Sequence, residues 1–383
     1  MKSAGRALQR TRQAAMANKN KKRIVLIGPV FPYKGGISHY TGLLSRTLNE
    51  RYEFRLISWK MQYPKLLFPR EQKDYGNDGF KAENAEYLIN TADPINIKKV
   101  ASDIARWRPD LVILEWWHPY FAPCYMLLQH FIPAKTLFIC HNVFPHERFP
   151  LDKCLTRLTL KKGDFFILHA EKEATELCTI IPKPNYRVNV HPTYEAFAHG
   201  EMPDRIYNGK TLLFFGFVRP YKGLSVLLKA MQALPDVKLL CVGDFDGKRG
   251  KYEEEIEELG IAGRVEITDG YIPDTEVKYW FSQCDAAVLP YTSATQSGIA
   301  QIAFGFRKPV IATTVGGLPE VIEDGKTGVL CKPDDPVDLA RGIERFYAIR
   351  DEVPFAENIE TESGRFSWEA LADTIHELAF GVE

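Results

Sequence analysis

Lys22-Arg23-Ile24-Val25-Leu26-Ile27-Gly28 is a short β-branched run closed by glycine, the pattern of a parallel strand buried on both faces. Residues 29–36 then supply a loop, and helical spacing resumes over 37–49 through Ile37, Tyr40, Leu44 and Leu48. Working outward, further strand candidates stand at 54–58, 110–114, 136–140, 164–169 and 187–190, with helix-like segments between most of them. Strands alternating with helices predict a parallel, doubly wound α/β sheet. The turn-rich stretch 191–209 breaks the rhythm with Pro192, Gly200, Pro203 and Gly209. After it the alternation starts afresh at 211–215, 239–243, 264–267, 285–290, 309–313 and 328–331, and an amphipathic helix over 366–380 closes the chain. Two α/β units with a hinge near 195–210 account for this order.

The composition agrees. With 383 residues, 45% hydrophobic and 26% charged, the chain can bury two or three cores and is not disordered as a whole. Its formal charge is zero, with 49 bases and 49 acids, but the balance is uneven. Residues 1–23 hold eight bases and no acid, leaving 41 bases against 49 acids, a net of −8. That excludes a nucleic-acid-binding body, which needs clustered excess bases. The basic tail reads as disordered or vector-derived, with a membrane- or nucleic-acid-binding arm as the alternative. Seven cysteines without a C-x-x-C pair give neither a disulfide framework nor a zinc cluster. No apolar run reaches the roughly 18 residues of a membrane span, and the N-terminus lacks a signal peptide's apolar region. The expectation is a cytoplasmic protein.

Ligands of doubly wound sheets sit at the carboxyl ends of the strands, near glycine turns and helix N-termini. Three loops there can carry chemistry. Pro32-Tyr33-Lys34-Gly35-Gly36-Ile37-Ser38-His39 follows the first strand, and its paired glycines permit close backbone approach to a ligand. It lacks the G-x-G-x-x-G dinucleotide pattern, which weakens an oxidoreductase reading, and simple strand–helix punctuation explains it equally well. Gly216-Phe217-Val218-Arg219-Pro220-Tyr221-Lys222-Gly223 places a guanidinium and an ammonium beside a helix start, a pair able to neutralise a diphosphate leaving group. The plainer alternative is two solvated bases. Tyr291-Thr292-Ser293-Ala294-Thr295-Gln296-Ser297-Gly298 puts small polar groups at another helix start, followed by Gly316-Gly317-Leu318-Pro319-Glu320, where Glu320 complements a helix dipole.

These loops carry a resemblance. Gly-Phe-Val-Arg-Pro-Tyr-Lys-Gly (216–223), Val-Gly-Asp (242–244), Gly-Tyr-Ile-Pro (270–273), Lys-Pro-Val-Ile-Ala (308–312) and Gly-Gly-Leu-Pro-Glu (316–320) resemble, in order and spacing, the sugar-nucleotide domain of retaining family 4 glycosyltransferases. The first half is similar more loosely, through residues 32–41, Cys140-His141-Asn142 and 169–176. The resemblance implies the GT-B fold, two Rossmann-like doubly wound domains facing a central cleft. It implies an acceptor-binding domain over 23–200 after the basic tail 1–22, a nucleotide-sugar domain over 201–365, and a C-terminal helix, 366–383, packing back on the first.

The implied activity is transfer of a hexose from a nucleotide diphosphate sugar to a glycan or lipid-linked acceptor, with retention, as in polysaccharide biosynthesis. Lys222 matches the lysine on the donor diphosphate, and Arg219 substitutes for an arginine the family carries where Phe217 stands. Gly35 and Gly36 match the glycine loop, with Gly216 on the donor side. His141 matches a histidine near the anomeric carbon, and its near-neutral pKa permits either proton state. His118 and Asn142 join it on the acceptor side, and His118 serves packing equally well. Tyr271 and Ile272 fall where the nucleobase packs. The family's two glutamates are replaced by Ala294 and Ile302, which leaves Gln296, Ser297, Gly298 and Gln301 to meet the donor. No cofactor and no metal is implied, because the two bases do the work of a divalent ion. Asp244-Phe245-Asp246 reads as solvated loop, with Mg2+ coordination the lesser reading. Residues 60–70 mix lysines with Leu66, Leu67 and Phe68, and read as a loop packing its apolar side chains into the domain. The alternative is peripheral contact with the inner face of a membrane. Two rival functions remain, a sugar-nucleotide epimerase and a non-catalytic glycosyltransferase-like subunit.

Overall fold

The structure, a computed structural model, describes residues 21–68, 71–76, 80–145, 150–198 and 200–381. The expectation for the basic tail therefore falls almost wholly outside the described residues. Two compact units emerge. The first holds the described residues up to Ile167, then Leu177–Arg187 and the chain from Ala372 onward; the second holds Leu168–Glu176 and Val188–Leu371. The second unit thus begins ahead of the turn-rich stretch where the sequence puts the hinge.

The first unit is built on strands β1 (Arg23–Ile27), β2 (Glu53–Met61), β3 (Ala85–Asn90), β4 (Leu111–Trp116), β5 (Lys135–Cys140), β6 (Phe165–Leu168) and β7 (Tyr186–Val188). They form one sheet in the order β3-β2-β1-β4-β5-β6-β7. β1 is parallel to both its neighbours, with Ile24 opposite Phe54 on one side and Leu111 on the other. Buried by partners at both edges and helices on both faces, such a strand must be apolar throughout, and Ile24 to Ile27 have no exposed surface. β3 escaped the sequence reading. It is an edge strand whose Tyr87 faces solvent, so its alternation is weak.

The second unit repeats the plan with β8 (Lys210–Phe215), β9 (Val237–Gly243), β10 (Val265–Asp269), β11 (Ala286–Leu289), β12 (Val310–Thr313) and β13 (Gly328–Cys331). Their order is β10-β9-β8-β11-β12-β13, and every neighbouring pair is parallel. The same local device starts a helix in each unit. Asp93 accepts from the N–H groups of Ile95 and Asn96 ahead of helix Pro94–Trp107, and Asp335 does so for Val337 and Asp338 ahead of helix Pro336–Ile349. Both sheets are therefore Rossmann-like, and each reverses direction once, between β1 and β4 and between β8 and β11. Crevices at such switch points are where doubly wound sheets bind ligands.

Helix Trp368–Phe380 ends in the first unit. There Asp373 accepts from Arg51 at 2.5 Å, and His376 Nδ1 lies 2.8 Å from the Tyr52 hydroxyl. One expectation fails. Leu66, Leu67 and Phe68 are 93%, 64% and 40% exposed, so the loop does not pack them inward; Phe68 stacks on Tyr63 at 5.7 Å. Among the described residues, no helix is long and apolar enough to cross a membrane.

Candidate functional site

In the second unit, the loop after β8 delivers two bases to the switch point. Residues Pro220–Lys222 form one turn of 3-10 helix, and Gly223 adopts φ 69° before helix Leu224–Met231 begins. A side chain at Gly223 would put its Cβ 1.9 Å from the Pro290 carbonyl oxygen, so the loop can dock against the end of β11 only with glycine there. That docking buries Lys222. Its Nζ lies 5.8 Å from the Tyr291 ring centroid and close beneath Gly216, where a Cβ would stand 3.5 Å away. No carboxylate pairs with this ammonium among the described residues. Burial, with the Arg219 charge adding to it, pulls its pKa from 10.5 down to about 8.

Arg219 stands differently. It is partly exposed and ion-paired with Asp246 at 3.2 Å. Asp246 is therefore not solvated loop, as the sequence reading had it; it anchors a base at the site. Asp244 accepts from the Asp246 N–H at 2.7 Å. Among the described residues, no group of three His, Cys, Asp or Glu side chains could hold a metal ion.

Facing these bases, helix Gly298–Gly305 begins beside Gly216, whose Cβ would touch Ile299 at 3.3 Å. Ser297 lies 3.4 Å from the Tyr291 hydroxyl. Gln301 is buried with both amide atoms unpartnered, and Gln296 Oε1 is buried without a partner as well. A helix N-terminus with no side-chain cap and two basic groups so gather at the ends of the strands, with unpartnered amide atoms on the loop and helix that follow β11. Ala294 and Ile302, where acids were expected from the resemblance, are buried apolar residues. Tyr271 and Ile272 sit half-buried in the loop after β10, on the same edge of the parallel sheet. Glu320 has a capping role beyond its own helix, since its carboxylate accepts from the Glu171 N–H at 3.2 Å, where helix Glu171–Ile180 begins.

In the first unit, the loop after β1 ends at Gly35, φ 107°, and Gly36 opens helix Gly36–Arg51. His141 follows β5 and its N–H donates to the Trp116 carbonyl at 2.8 Å. Its ring is 3% exposed, with Nε2 2.6 Å from Oε2 of the fully buried Glu115. The near-neutral histidine expected from sequence is not what the fold provides: burial holds its pKa well below the ordinary range and pushes Glu115 well above its own. His118 is half-buried and uses Nδ1 to accept from the Tyr120 N–H at 3.1 Å, so it caps a turn, and burial lowers its pKa also. Asn142 lies beside His141, half-buried. Glu115 is a residue of this region that the sequence reading passed over, and Asp246 and Tyr291 are ones it met without giving them these contacts. Glu115 had a signal, a carboxylate inside the apolar strand Leu-Val-Ile-Leu-Glu-Trp, where an acid survives only with a partner.

Two concave regions lie elsewhere. One of about 550 Å³ is lined by Thr193, Phe304 and Ser363; another of about 790 Å³, lined by Lys210, Asp285 and Arg350, opens at the opposite ends of the strands. In the second, Asp285 already accepts from Arg205 and lies 3.3 Å from Arg350.

Residues 209–348 match the family described as glycosyl transferases group 1. D-inositol 3-phosphate glycosyltransferase of Streptosporangium roseum is 28% identical over 244 residues, covering 57% of this chain and 55% of that protein. Sulfoquinovosyl transferase SQD2 of Arabidopsis thaliana is 24% identical over 310 residues, 72% of this chain and 58% of that protein. The chain thus spans a little over half the length of these curated relatives. Among solved structures, sucrose-phosphate synthase from Thermosynechococcus elongatus superimposes with a TM-score of 0.71 at 20% identity, covering 94% of this chain and 98% of that one. HepE of Anabaena, solved with UDP-glucose, gives 0.71 at 17% identity over 94% and 100%. These likenesses establish the fold as that of GT-B glycosyltransferases.

Proposed function

We propose that this chain, whose second unit carries a glycosyl transferases group 1 domain, is a glycosyltransferase moving a hexose from a nucleotide diphosphate sugar to a glycan or lipid-linked acceptor, with retention. One observation carries the reading: the Lys222 ammonium is buried at a switch point with Arg219 nearby and, among the described residues, no carboxylate to neutralise it. A buried charge of this kind costs several kcal/mol unless an anion arrives, and a diphosphate is an anion of fitting charge. That HepE was solved with UDP and glucose supports a nucleotide-sugar donor. Gly298 and its helix N-terminus offer N–H groups to the same phosphates. The Gln296, Ser297 and Gln301 side chains offer hydrogen bonds to the sugar's hydroxyls, with Tyr271 and Ile272 against the base.

In this reading the acceptor hydroxyl attacks the anomeric carbon as the bond to the donor phosphate breaks. The hydroxyl proton passes to a phosphate oxygen, and Lys222 and Arg219 stabilise the charge building there. His141 and Asn142, with Gly35 and Gly36, belong to the acceptor side. Two cationic side chains supply the charge a divalent ion supplies elsewhere, so chelator should leave transfer unchanged.

A thermal-shift panel of UDP, GDP, ADP and their sugar conjugates tests the site, since a ligand bound only by the folded state raises its melting temperature. Transfer assays with the stabilising donor then read the product's anomer. No shift with any of them overturns the reading. Binding without turnover over a broad acceptor set favours a non-catalytic subunit, and free nucleotide with epimerised sugar favours an epimerase.

The exposed Leu66, Leu67 and Phe68, flanked by exposed Lys60 and Lys65, support peripheral contact with an anionic lipid surface. Co-sedimentation with phosphatidylglycerol vesicles, lost on Leu66→Ser with Leu67→Ser, is the expected outcome. No pelleting of the wild type removes it.

A further inference from the structure

Glu115 has no part in the chemistry so far, yet it is the most completely enclosed acid at the first unit's switch point. It stands near the end of β4 with no exposed surface, and Oε1 finds no partner. Its backbone is pinned by the Tyr125 hydroxyl, which donates to its carbonyl at 2.7 Å. Its side chain fills space left by Gly28, where a Cβ would lie 2.6 Å from Glu115 Cγ. The Tyr40 ring meets His141 edge-on, with centroids 4.7 Å apart, and holds the imidazole from the other side.

At 2.6 Å, Oε2 of Glu115 and Nε2 of His141 must have a proton between them. Two neutral partners or an ion pair would both satisfy that distance. Separating charge in a site closed to water is costly. The titratable groups packed here are Tyr40, Tyr125 and Cys140, with Cys124 behind Tyr125. Burial alone moves both members of the pair, with no charged neighbour contributing among the described residues. The neutral arrangement therefore wins: the carboxyl O–H donates to Nε2, which leaves the ring's own hydrogen on Nδ1. Which nitrogen of a histidine carries hydrogen is set by the bond its other nitrogen makes.

We propose that Glu115 is a positioning residue for His141, donating its carboxyl proton to Nε2 and thereby fixing Nδ1 as the ring's N–H donor. Its effect on rate rests on the glycosyltransferase reading; the position of the proton does not. As pH rises the pair loses its shared proton, the carboxylate then accepts from Nε2–H, and Nδ1 becomes an acceptor.

NMR of the full chain labelled with 15N-histidine reads the tautomer without any assay. The expected result is His141 as the Nδ1–H form at neutral pH, converting to Nε2–H as pH rises. Glu115→Gln keeps the shape but has no proton to lose. It should abolish the pH-dependent conversion, lower kcat/KM about tenfold, remove the alkaline fall of the rate and leave KM within about twofold. Nε2–H throughout in the wild type, or a wild-type pH profile in Glu115→Gln, overturns the proposal. If the tautomer behaves as expected and no donor or acceptor supports transfer, the glycosyltransferase reading fails while the pairing stands. If transfer occurs and the tautomer is Nε2–H, the pairing alone fails.

Discussion

The two units share a strand order and place their glycine loops at the same switch point, yet they treat buried charge in opposite ways. In the first, Glu115 and His141 share one proton across 2.6 Å, so neither need carry a charge. In the second, Lys222 is buried with no carboxylate paired to it among the described residues, and Asp246 is spent on Arg219. A pair that satisfies itself fixes geometry and asks nothing of a ligand. An unpaired ammonium stores an unfavourable desolvation that an incoming anion relieves. The difference separates a unit whose buried ionisable pair satisfies itself from a unit whose buried ammonium is open to an anion, although one backbone plan underlies both.

The contrast breaks most severely at Lys222. Lys222→Ala should lower transfer about 100- to 1,000-fold, as loss of one preorganised charge contact does, with the fold intact by circular dichroism. Wild-type rates in that variant would remove the phosphate site. The next effect has the opposite sign. Folding lowers the Lys222 pKa from 10.5 to about 8, so the unfolded chain binds more protons between those values and stability rises with pH across that window. Below about pH 8 the full cost of burying the charge is present. Lys222→Met should therefore stabilise the ligand-free protein at pH 7 by up to about 3 kcal/mol, read by urea unfolding. An unchanged or lower midpoint would show that the ammonium is not desolvated.

The same proton couples to the ligand. Because the diphosphate binds the charged form, its affinity should fall up to about tenfold per unit above about pH 8, by calorimetric titration, and the slope should vanish in Lys222→Met. The smallest expected effect sharpens the comparison at its edge. Asp246→Asn releases Arg219 from a partly exposed ion pair worth about 0–1 kcal/mol, so nucleoside diphosphate should bind about two- to fivefold tighter. Weaker binding would mean that Asp246 orients the guanidinium and does not compete for it.

Much of this was legible early because it is local. The run Arg23–Ile27 reads as a buried strand, and the glycines at 216 and 223 marked a turn that favours glycine, so two alternating sheets and the basic loop followed from short-range pattern. Strand β3 stayed hidden because an edge strand half in water loses the apolar signature. The loop at Leu66 to Phe68 misled for the reverse reason: apolar composition predicts burial, and only the surrounding chain decides whether a surface is there to receive it.

Amino-acid order alone determined the two doubly wound sheets, the glycine loops at their switch points and the presence of Arg219 and Lys222 on one of them, since periodicity and turn chemistry act over a few residues. Tertiary structure decided what those groups are electrically. It set Glu115 against His141, 26 residues apart, and Asp246 against Arg219, and it left Lys222 buried with no carboxylate paired to it among the described residues. Desolvation and pairing depend on which distant segments close over a side chain, and that information exists only once the strands have taken their places.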